Sequence, residues 1–179
     1  MNPILSLVLV AALAAGPPTP RAIDVAKSSA RFSIGHIWVQ NVQGAVPILG
    51  GSVILDPGSM IPKSVSATLD ATRILTDEPD RDRSLESPDF FDAGKFPRWT
   101  FVSTKISPSG PNAFEMDGNL TIHGVTQPER LSVSANGTPT SPFYHATTQI
   151  DRRAFGMSVT RLDPTIASTA DVTLDVALK

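Results

Sequence analysis

The sequence predicts an all-β protein, a barrel of about eight antiparallel strands with a short helical crossover near residues 80–91. Three observations predict it. Apolar and polar residues alternate over most of the chain, turn-forming prolines and glycines lie between the alternating segments, and residues 81–104 interrupt the alternation. A period of two is typical of strands with one buried and one hydrated face. Such strands must stack as two sheets or close on themselves, and about eight of them can enclose one small ligand.

The apolar faces of the alternating segments predict the lining of an interior. The clearest segments are 30–38, 64–72, 112–123 and 166–178, while 130–135 and 144–152 alternate less regularly. Pro47 predicts a strand break or a bulge within 42–55, because proline cannot donate a ladder hydrogen bond. From these faces and the crossover, the predicted lining residues are Phe32, Ile34, His36, Trp38, Leu69, Phe90, Phe91, Phe101, Phe114, Met116, Leu120, Ile122 and Ile150.

Small residues on the same faces leave room inside the predicted barrel. Ala67, Ala71 and Gly118 occupy positions that a densely packed core would more often fill with large side chains. Small barrels also pack by alternating small and large residues, so a filled interior is the alternative interpretation.

Residues 81–104 form the stretch at which the chain leaves the sheet. It begins with Arg81 and Asp82 and contains the adjacent Phe90 and Phe91, each with roughly 150 Å² or more of apolar surface to bury. We interpret it as a lid on a hollow interior. The alternative is a crossover that closes a packed core.

Arg81, Asp82 and Arg152 form the predicted polar end of the site. A few polar groups in an otherwise apolar pocket fix the orientation of a ligand, and Arg152 alternates with Ile150 on the predicted inner face. The alternative is an Asp82–Arg152 ion pair that only holds the crossover to the barrel.

The N-terminal segment predicts export. Residues 4–15 form an unbroken apolar run, shorter than the roughly 20 residues that span a bilayer. Gly16, three prolines and Arg21 follow. We therefore expect a cleaved signal peptide over residues 1–22, a single domain over 23–179, and a periplasmic or secreted protein with no membrane span in its mature chain. An uncleaved anchor is the alternative.

The composition and the absence of motifs narrow the function classes. The chain has no cysteine, a formal net charge of −2 and no cluster of lysines and arginines, so nucleic acid and anionic membranes are not expected partners. His36, His123 and His145 lie far apart with no metal-ligand spacing. Because nucleophile, phosphate-loop and zinc motifs are also absent, we expect no enzyme activity, no metal and no cofactor.

Several segments, in this order and spacing, together resemble the YceI-like family of secreted, lipocalin-like proteins, which are regarded as polyisoprenoid- or fatty-amide-binding. The resemblance runs from about Ile23 to the C-terminus. It is carried by Phe32-Ser33-Ile34-Gly35-His36, Val53-Ile54-Leu55-Asp56-Pro57, Arg81-Asp82 to Leu85, Ser87-Pro88-Asp89-Phe90-Phe91-Asp92, Phe96-Pro97 to Thr100-Phe101, Gly118-Asn119-Leu120-Thr121-Ile122-His123-Gly124-Val125-Thr126, and Arg152 with Phe155-Gly156.

The resemblance implies an elongated antiparallel barrel, open at one end, with an apolar tunnel for an isoprenoid or acyl chain and no catalysis. The chain departs from the family pattern at Val46, Ser84 and Ala154. We therefore expect a carrier of a long apolar ligand, an isoprenoid or a fatty acyl or amide chain. The alternatives are a barrel enzyme acting on a bound lipid and a packed structural module without ligand. The sequence leaves open whether the chain forms a homodimer.

Overall fold

The computed structural model describes residues 16–37, 39–157 and 165–179. Within these ranges the chain forms ten strands, one α-helix and two short 3₁₀ turns. The strands are β1 Thr19–Ala22, β2 Ser29–His36, β3 Val39–Ala45, β4 Ile48–Leu55, β5 Pro62–Asp70, β6 Arg98–Gly110, β7 Ala113–Ile122, β8 Val125–Thr138, β9 Ser141–Asp151 and β10 Ile166–Ala177. The helix α1 is Pro79–Glu86, and the 3₁₀ turns are Ala71–Arg73 and Arg152–Phe155.

All ten strands belong to one curled antiparallel sheet in the order β1-β4-β5-β6-β7-β8-β9-β10-β2-β3. Strands β4 to β10 follow the chain from neighbour to neighbour, as short connections favour. The sheet is mostly β-meander, and the chain leaves it between β5 and β6, where α1 lies. The predicted all-β fold with a helical crossover is confirmed.

Backbone hydrogen bonds tie the free edges of the sheet at two places. Asp24 N donates to Ala177 O and Lys179 N donates to Ala22 O, both at 2.9 Å, so the chain around the end of β1 lies beside the end of β10. Ala45 and Leu75 exchange two bonds of 2.8 and 3.0 Å, which attach β3 to the segment after β5. These bonds hold the sheet around an interior.

The sequence predicts about eight strands, and the described residues form ten. Residues 42–55 are divided at Val46-Pro47 between β3 and β4, where the sequence predicts a break or a bulge. In β3 the apolar residues recur three positions apart, at 39, 42 and 45, so no period of two identifies it as a separate strand. β1 has four residues and lies in the segment assigned to the leader, yet it pairs with β4 from Thr19–Leu55 to Ala22–Ser52.

Two apolar clusters lie inside the curled sheet, one towards each end. The cluster near the β7–β8 turn-distal end contains Phe114, Met116, Val133 and Tyr144. Phe114 is 1 % exposed. The cluster nearer α1 contains Trp99 and Ile122, with Leu85 and Phe91 packed against it. No helix within the described residues is long and apolar enough to cross a membrane.

Candidate ligand-binding site

The curled sheet encloses two cavities, which we call the outer and the deep cavity. The outer cavity has a volume of about 620 Å³ and lies between α1, the loop after it and the inner faces of β2, β9 and β10. The deep cavity has a volume of about 150 Å³ and lies between the inner faces of β4 to β10. A volume of 300 to 1,000 Å³ is common for small-molecule sites, so the outer cavity alone has the size of a ligand pocket.

Trp99, Ile122 and Ile150 line both cavities, which therefore meet at these three side chains. Trp99 is 8 % exposed, and its ring lies 4.7 Å from the ring of Phe91, centroid to centroid. The residues after α1 thus contact the side chain at the junction. A ligand that passes from one cavity to the other must pass Trp99.

The residues predicted from the sequence divide between the two cavities. Those that line the outer cavity are Phe32, Ile34, His36, Arg81, Phe90, Phe91, Ile122, Ile150 and Arg152. Those that line the deep cavity are Leu69, Phe101, Phe114, Met116, Leu120, Ile122 and Ile150. Asp82 lines neither cavity, and Trp38 lies outside the described residues.

Helix α1 covers the outer cavity and is fixed mainly at its ends. Its first residue is Pro79, a position where proline costs no backbone hydrogen bond, and the Glu78 side chain accepts bonds from Asp80 N and Arg81 N. None of its side chains is fully buried, and Leu85 packs inward as a half-buried residue. Since α1 has few buried anchors, it is the part of the site least restrained by packing.

Arg81 and Asp82 both bind Thr76, which is 4 % exposed. Arg81 Nε donates to Thr76 Oγ1 at 2.8 Å, and its Nη2 donates to Thr76 O at 2.6 Å. The carboxylate of Asp82 accepts bonds from the amide, at 2.8 Å, and the hydroxyl of Thr76. Asp82 thus positions the segment before α1, whereas Arg81 also lines the outer cavity.

Arg152 is turned inward by the 3₁₀ turn Arg152–Phe155. Asp151 caps the turn by accepting a bond from Arg153 N at 2.9 Å, and Gly156 follows it with a φ of 77°. Arg152 is 8 % exposed, and its guanidinium donates to the carbonyls of Ala167 (3.0 Å), Met157 (2.6 Å) and Ile166 (3.3 Å). Asp82 makes its bonds to Thr76, so the Asp82–Arg152 pair considered from the sequence is not formed.

The outer cavity carries charges of both signs at its α1 side. Glu78, Asp80 and Asp89 line it together with Arg81 and Arg152. Sequence reasoning did not select these three carboxylates, although Glu78 and Asp80 lie just before Arg81 and Asp89 lies in the stretch that Arg81 opens. Such an arrangement suits a ligand group with hydrogen-bond donors and acceptors.

Two residues beside the deep cavity carry buried polar atoms that lack partners. Trp99 Nε1 and Tyr144 Oη have no hydrogen-bond partner among the described residues, and Tyr144 is 5 % exposed. Burial raises the pKa of Tyr144 to about 12, so its hydroxyl is protonated at neutral pH. Buried Trp and Tyr side chains usually do find a partner for these groups.

Glu129 is a further deep-cavity residue that sequence reasoning missed. Burial raises the pKa of its carboxyl. The signal was present, since Leu131, Val133 and Ala135 alternate on the buried face of β8 and position 129 continues their series. Within the described ranges, no group of three or more His, Asp or Glu side chains is placed to hold a metal ion.

Comparison with known proteins finds one domain family that matches nearly the whole chain. The sequence matches the YceI-like domain over residues 22–178. It is 31% identical to a UPF0312 protein of Pseudomonas fluorescens over 136 residues, which cover 70% of this chain and 69% of that protein. It is 30% identical to a UPF0312 protein of Vibrio parahaemolyticus over 118 residues, or 66% of this chain and 62% of the relative.

Solved structures show the same fold at low sequence identity. The crystal structure of Burkholderia cenocepacia BcnA superposes with a TM-score of 0.80 at 24% identity and covers 88% of this chain and 99% of BcnA. A polyisoprenoid-binding domain from Saccharophagus degradans, implicated in plant cell wall breakdown, superposes with a TM-score of 0.66 at 12% identity, over 88% of this chain and 97% of that domain.

Proposed function

The chain belongs to the YceI-like family, and on that premise we propose that it is a binding protein that holds one long apolar molecule in its interior. The ligand class is a polyisoprenoid or a fatty acyl or amide chain. The protein carries this molecule without reacting with it. The Saccharophagus degradans domain with the same fold is described as polyisoprenoid-binding, which supports the ligand class.

The observation that carries the proposal is the shared wall of the two cavities. Because Trp99, Ile122 and Ile150 line both, a chain can run from the charged side beneath α1 into the apolar end beside Phe114. Each methylene transferred from water contributes about 0.8 kcal/mol. About ten buried methylenes then offset several kcal/mol of lost ligand freedom.

The charged side of the outer cavity gives the ligand an orientation in this proposal. Arg81 and Arg152 hold their guanidinium groups in place through backbone and Thr76 contacts, so they are ordered before a ligand arrives. A phosphate or carbonyl group at one end of the ligand would bind there, while its hydrocarbon lies in the deep cavity. Preordered groups of this kind lower the entropic cost of binding.

We further propose that the protein is exported to the periplasm or secreted. The support is the apolar run over residues 4–15, which is shorter than a membrane span. Since β1 begins at Thr19 and pairs with β4, cleavage before Thr19 would keep the whole sheet. N-terminal sequencing of exported protein should start within residues 16–19. Intact Met1 in a membrane fraction would contradict export by cleavage.

Native mass spectrometry of protein purified from its own host tests the binding function. We expect a co-purified apolar mass, released by mild activation, on a large share of the molecules. If no such mass is found under several gentle conditions, the protein would instead be a packed structural module without ligand. Turnover of the extracted molecule by fresh protein would favour an enzyme. The same spectra count the protomers and so determine the oligomeric state.

A further inference from the structure

Trp99 lies at the passage between the outer and the deep cavity. It is the second residue of β6, and Leu69 of β5 is its partner across the sheet. Phe101, two positions further along β6, lines the deep cavity alone, whereas Trp99 lines both cavities. The other two residues that line both, Ile122 and Ile150, have smaller side chains. The position of the Trp99 indole therefore decides how wide the passage is.

The crossover packs against the indole from the outer side. The ring of Phe91 lies 4.7 Å from the ring of Trp99, centroid to centroid, and the two planes are tilted by 57°. Phe91 is half-buried and follows α1, in which no side chain is fully buried. The aromatic contact that holds the indole on this side thus comes from the part of the site least restrained by packing.

Hydrogen bonding does not hold the Trp99 indole in place. Trp99 is 8 % exposed, and its Nε1 has no hydrogen-bond partner among the described residues. A buried N–H group without a partner has given up its bonds to water and gained none in return. Tryptophan usually finds a partner for this group when it is buried. The indole is therefore held by packing alone, and a hydrocarbon chain can replace packing.

The space behind the indole suits a hydrocarbon chain. The deep cavity has a volume of about 150 Å³, and its wall is apolar. Apolar cavities of roughly this size stay free of water and admit small apolar molecules. In the proposed function the polar end of the ligand stays in the outer cavity, of about 620 Å³. Only a chain too long for that space therefore reaches past the indole.

We propose that Trp99 sets the chain-length specificity of the site, because it separates the two cavities and is displaced only by a chain long enough to enter the deep one. The inference rests on the proposed function. Short chains bind in the outer cavity with the indole in place. A slightly longer chain displaces the indole and does not yet recover the lost packing, whereas a still longer chain replaces it with its own methylenes. Affinity therefore stops rising at an intermediate chain length and then rises again.

The test measures the dissociation constants of straight-chain alkanols from octanol to octadecanol with ligand-free protein after export. Displacement of a fluorescent apolar dye gives each constant. Burial of one more methylene strengthens binding about fourfold. For the wild type we expect this increment among the short chains, less than about twofold per methylene over an intermediate interval, and the full increment again among the long chains. For Trp99→Ala we expect an uninterrupted rise.

The fluorescence of Trp99 provides a second readout, which a residue that only forms part of the wall would not give. The chain has two tryptophans, so Trp38→Phe leaves Trp99 as the sole emitter. We expect a step in its emission maximum at the chain length where the affinity stops rising. An emission that changes gradually with chain length, without a step, would contradict displacement of the indole.

Phe143→Ala is the matched control for removal of an aromatic ring. Phe143 lies on β9, is 38 % exposed and lines neither cavity. This variant should show the interrupted rise of the wild type at the same chain lengths. Trp99→Phe is the second variant at the junction, because it keeps an aromatic ring of smaller size. It should shorten the interval, and it decides the test if Trp99→Ala does not fold, as judged by circular dichroism.

Failure of this inference and failure of the proposed function are distinguishable. If alkanols bind and the affinity of the wild type rises without interruption, the role of Trp99 is overturned while the binding function stands. An interval that persists unchanged in Trp99→Ala, or in Trp99→Phe where that variant decides, overturns it in the same way. If no alkanol of any length binds, both proposals are overturned.

Discussion

The outer and deep cavities are built in opposite ways. In the outer cavity, Arg81 and Arg152 are ordered by carbonyl and hydroxyl partners, and α1 covers them with little packing of its own. In the deep cavity, strands form a wall whose surface is apolar, and the buried Tyr144 Oη has no partner among the described residues. In the proposed function, the outer cavity is the part that binds a polar group of the ligand, and the deep cavity is the part that holds its apolar chain.

The comparison predicts that the same Phe→Ala substitution lowers stability more in the deep cavity than in the outer cavity. Phe114→Ala removes a ring that is 1 % exposed and packs edge-to-face on Tyr144 at 6.2 Å, so we expect a loss of about 3–5 kcal/mol in the free energy of unfolding. Phe90→Ala removes a half-buried ring over the outer cavity and should cost much less. Denaturant titration measures both. Equal losses in the free energy of unfolding would show that Phe90 is packed as tightly as a core residue.

Arg81→Ala tests whether the charged side of the outer cavity binds the polar end of a ligand. A hydrogen bond to a charged group contributes about 1.5–3 kcal/mol, so octadecyl phosphate should lose roughly tenfold or more in affinity. Octadecane should lose little. Arg83→Ala is the matched control, since Arg83 lies on α1, pairs with Asp80 and does not line the cavity. Equal losses for the two ligands, together with a lower melting temperature, would mean that Arg81 only holds α1.

Ile122→Trp tests whether the two cavities form one site. Ile122 lines both cavities, so the larger ring should obstruct the junction and weaken octadecanol about tenfold while the fold is kept. A short alcohol such as octanol, which fits the outer cavity, should still bind. If the junction has no free space, the variant should instead lose about 1–3 kcal/mol of stability through overpacking. A melting curve and two titrations distinguish these results.

Glu129→Gln should have the smallest effect on stability, and its sign depends on pH. Burial raises the pKa of Glu129 in the folded protein, so the folded state binds the proton more tightly than the unfolded state. The stability of the wild type therefore falls as the pH rises through the folded pKa. The Gln variant should be the more stable protein at neutral pH, with the advantage lost below about pH 4. A variant that is less stable at neutral pH would contradict this.

Alternation gave most of the fold because it reports directly on which face is buried. It located the inner faces of β2, β5, β7 and β10, and the interruption near residues 80–91 located α1. Alternation did not identify the strands that are placed by backbone hydrogen bonds to a neighbouring strand. β3 has no apolar period of two, and β1 owes its place to pairing with β4.

The candidate site was harder to predict because its polar groups depend on local turns. The 3₁₀ turn after β9 brings the Arg152 guanidinium to carbonyls of three other residues, and no pattern in the sequence fixes that contact. Arg81 donates to the hydroxyl of Thr76, whereas Asp82 accepts from its amide, and this difference in bonding is not visible in the sequence. Glu129 continues the series of Leu131 and Val133 on β8, so the alternation predicts an inward side chain at this position as well.

The central claim, that one chain occupies both cavities with its polar end beneath α1, is tested most directly by a crystal structure with a bromine-labelled ligand. A long alkyl phosphate with bromine on its terminal carbon should give an anomalous peak beside Phe114 and Tyr144. Its phosphate should lie within hydrogen-bond distance of Arg81 or Arg152. A bromine peak in the outer cavity, or a phosphate at the deep end, would contradict the account.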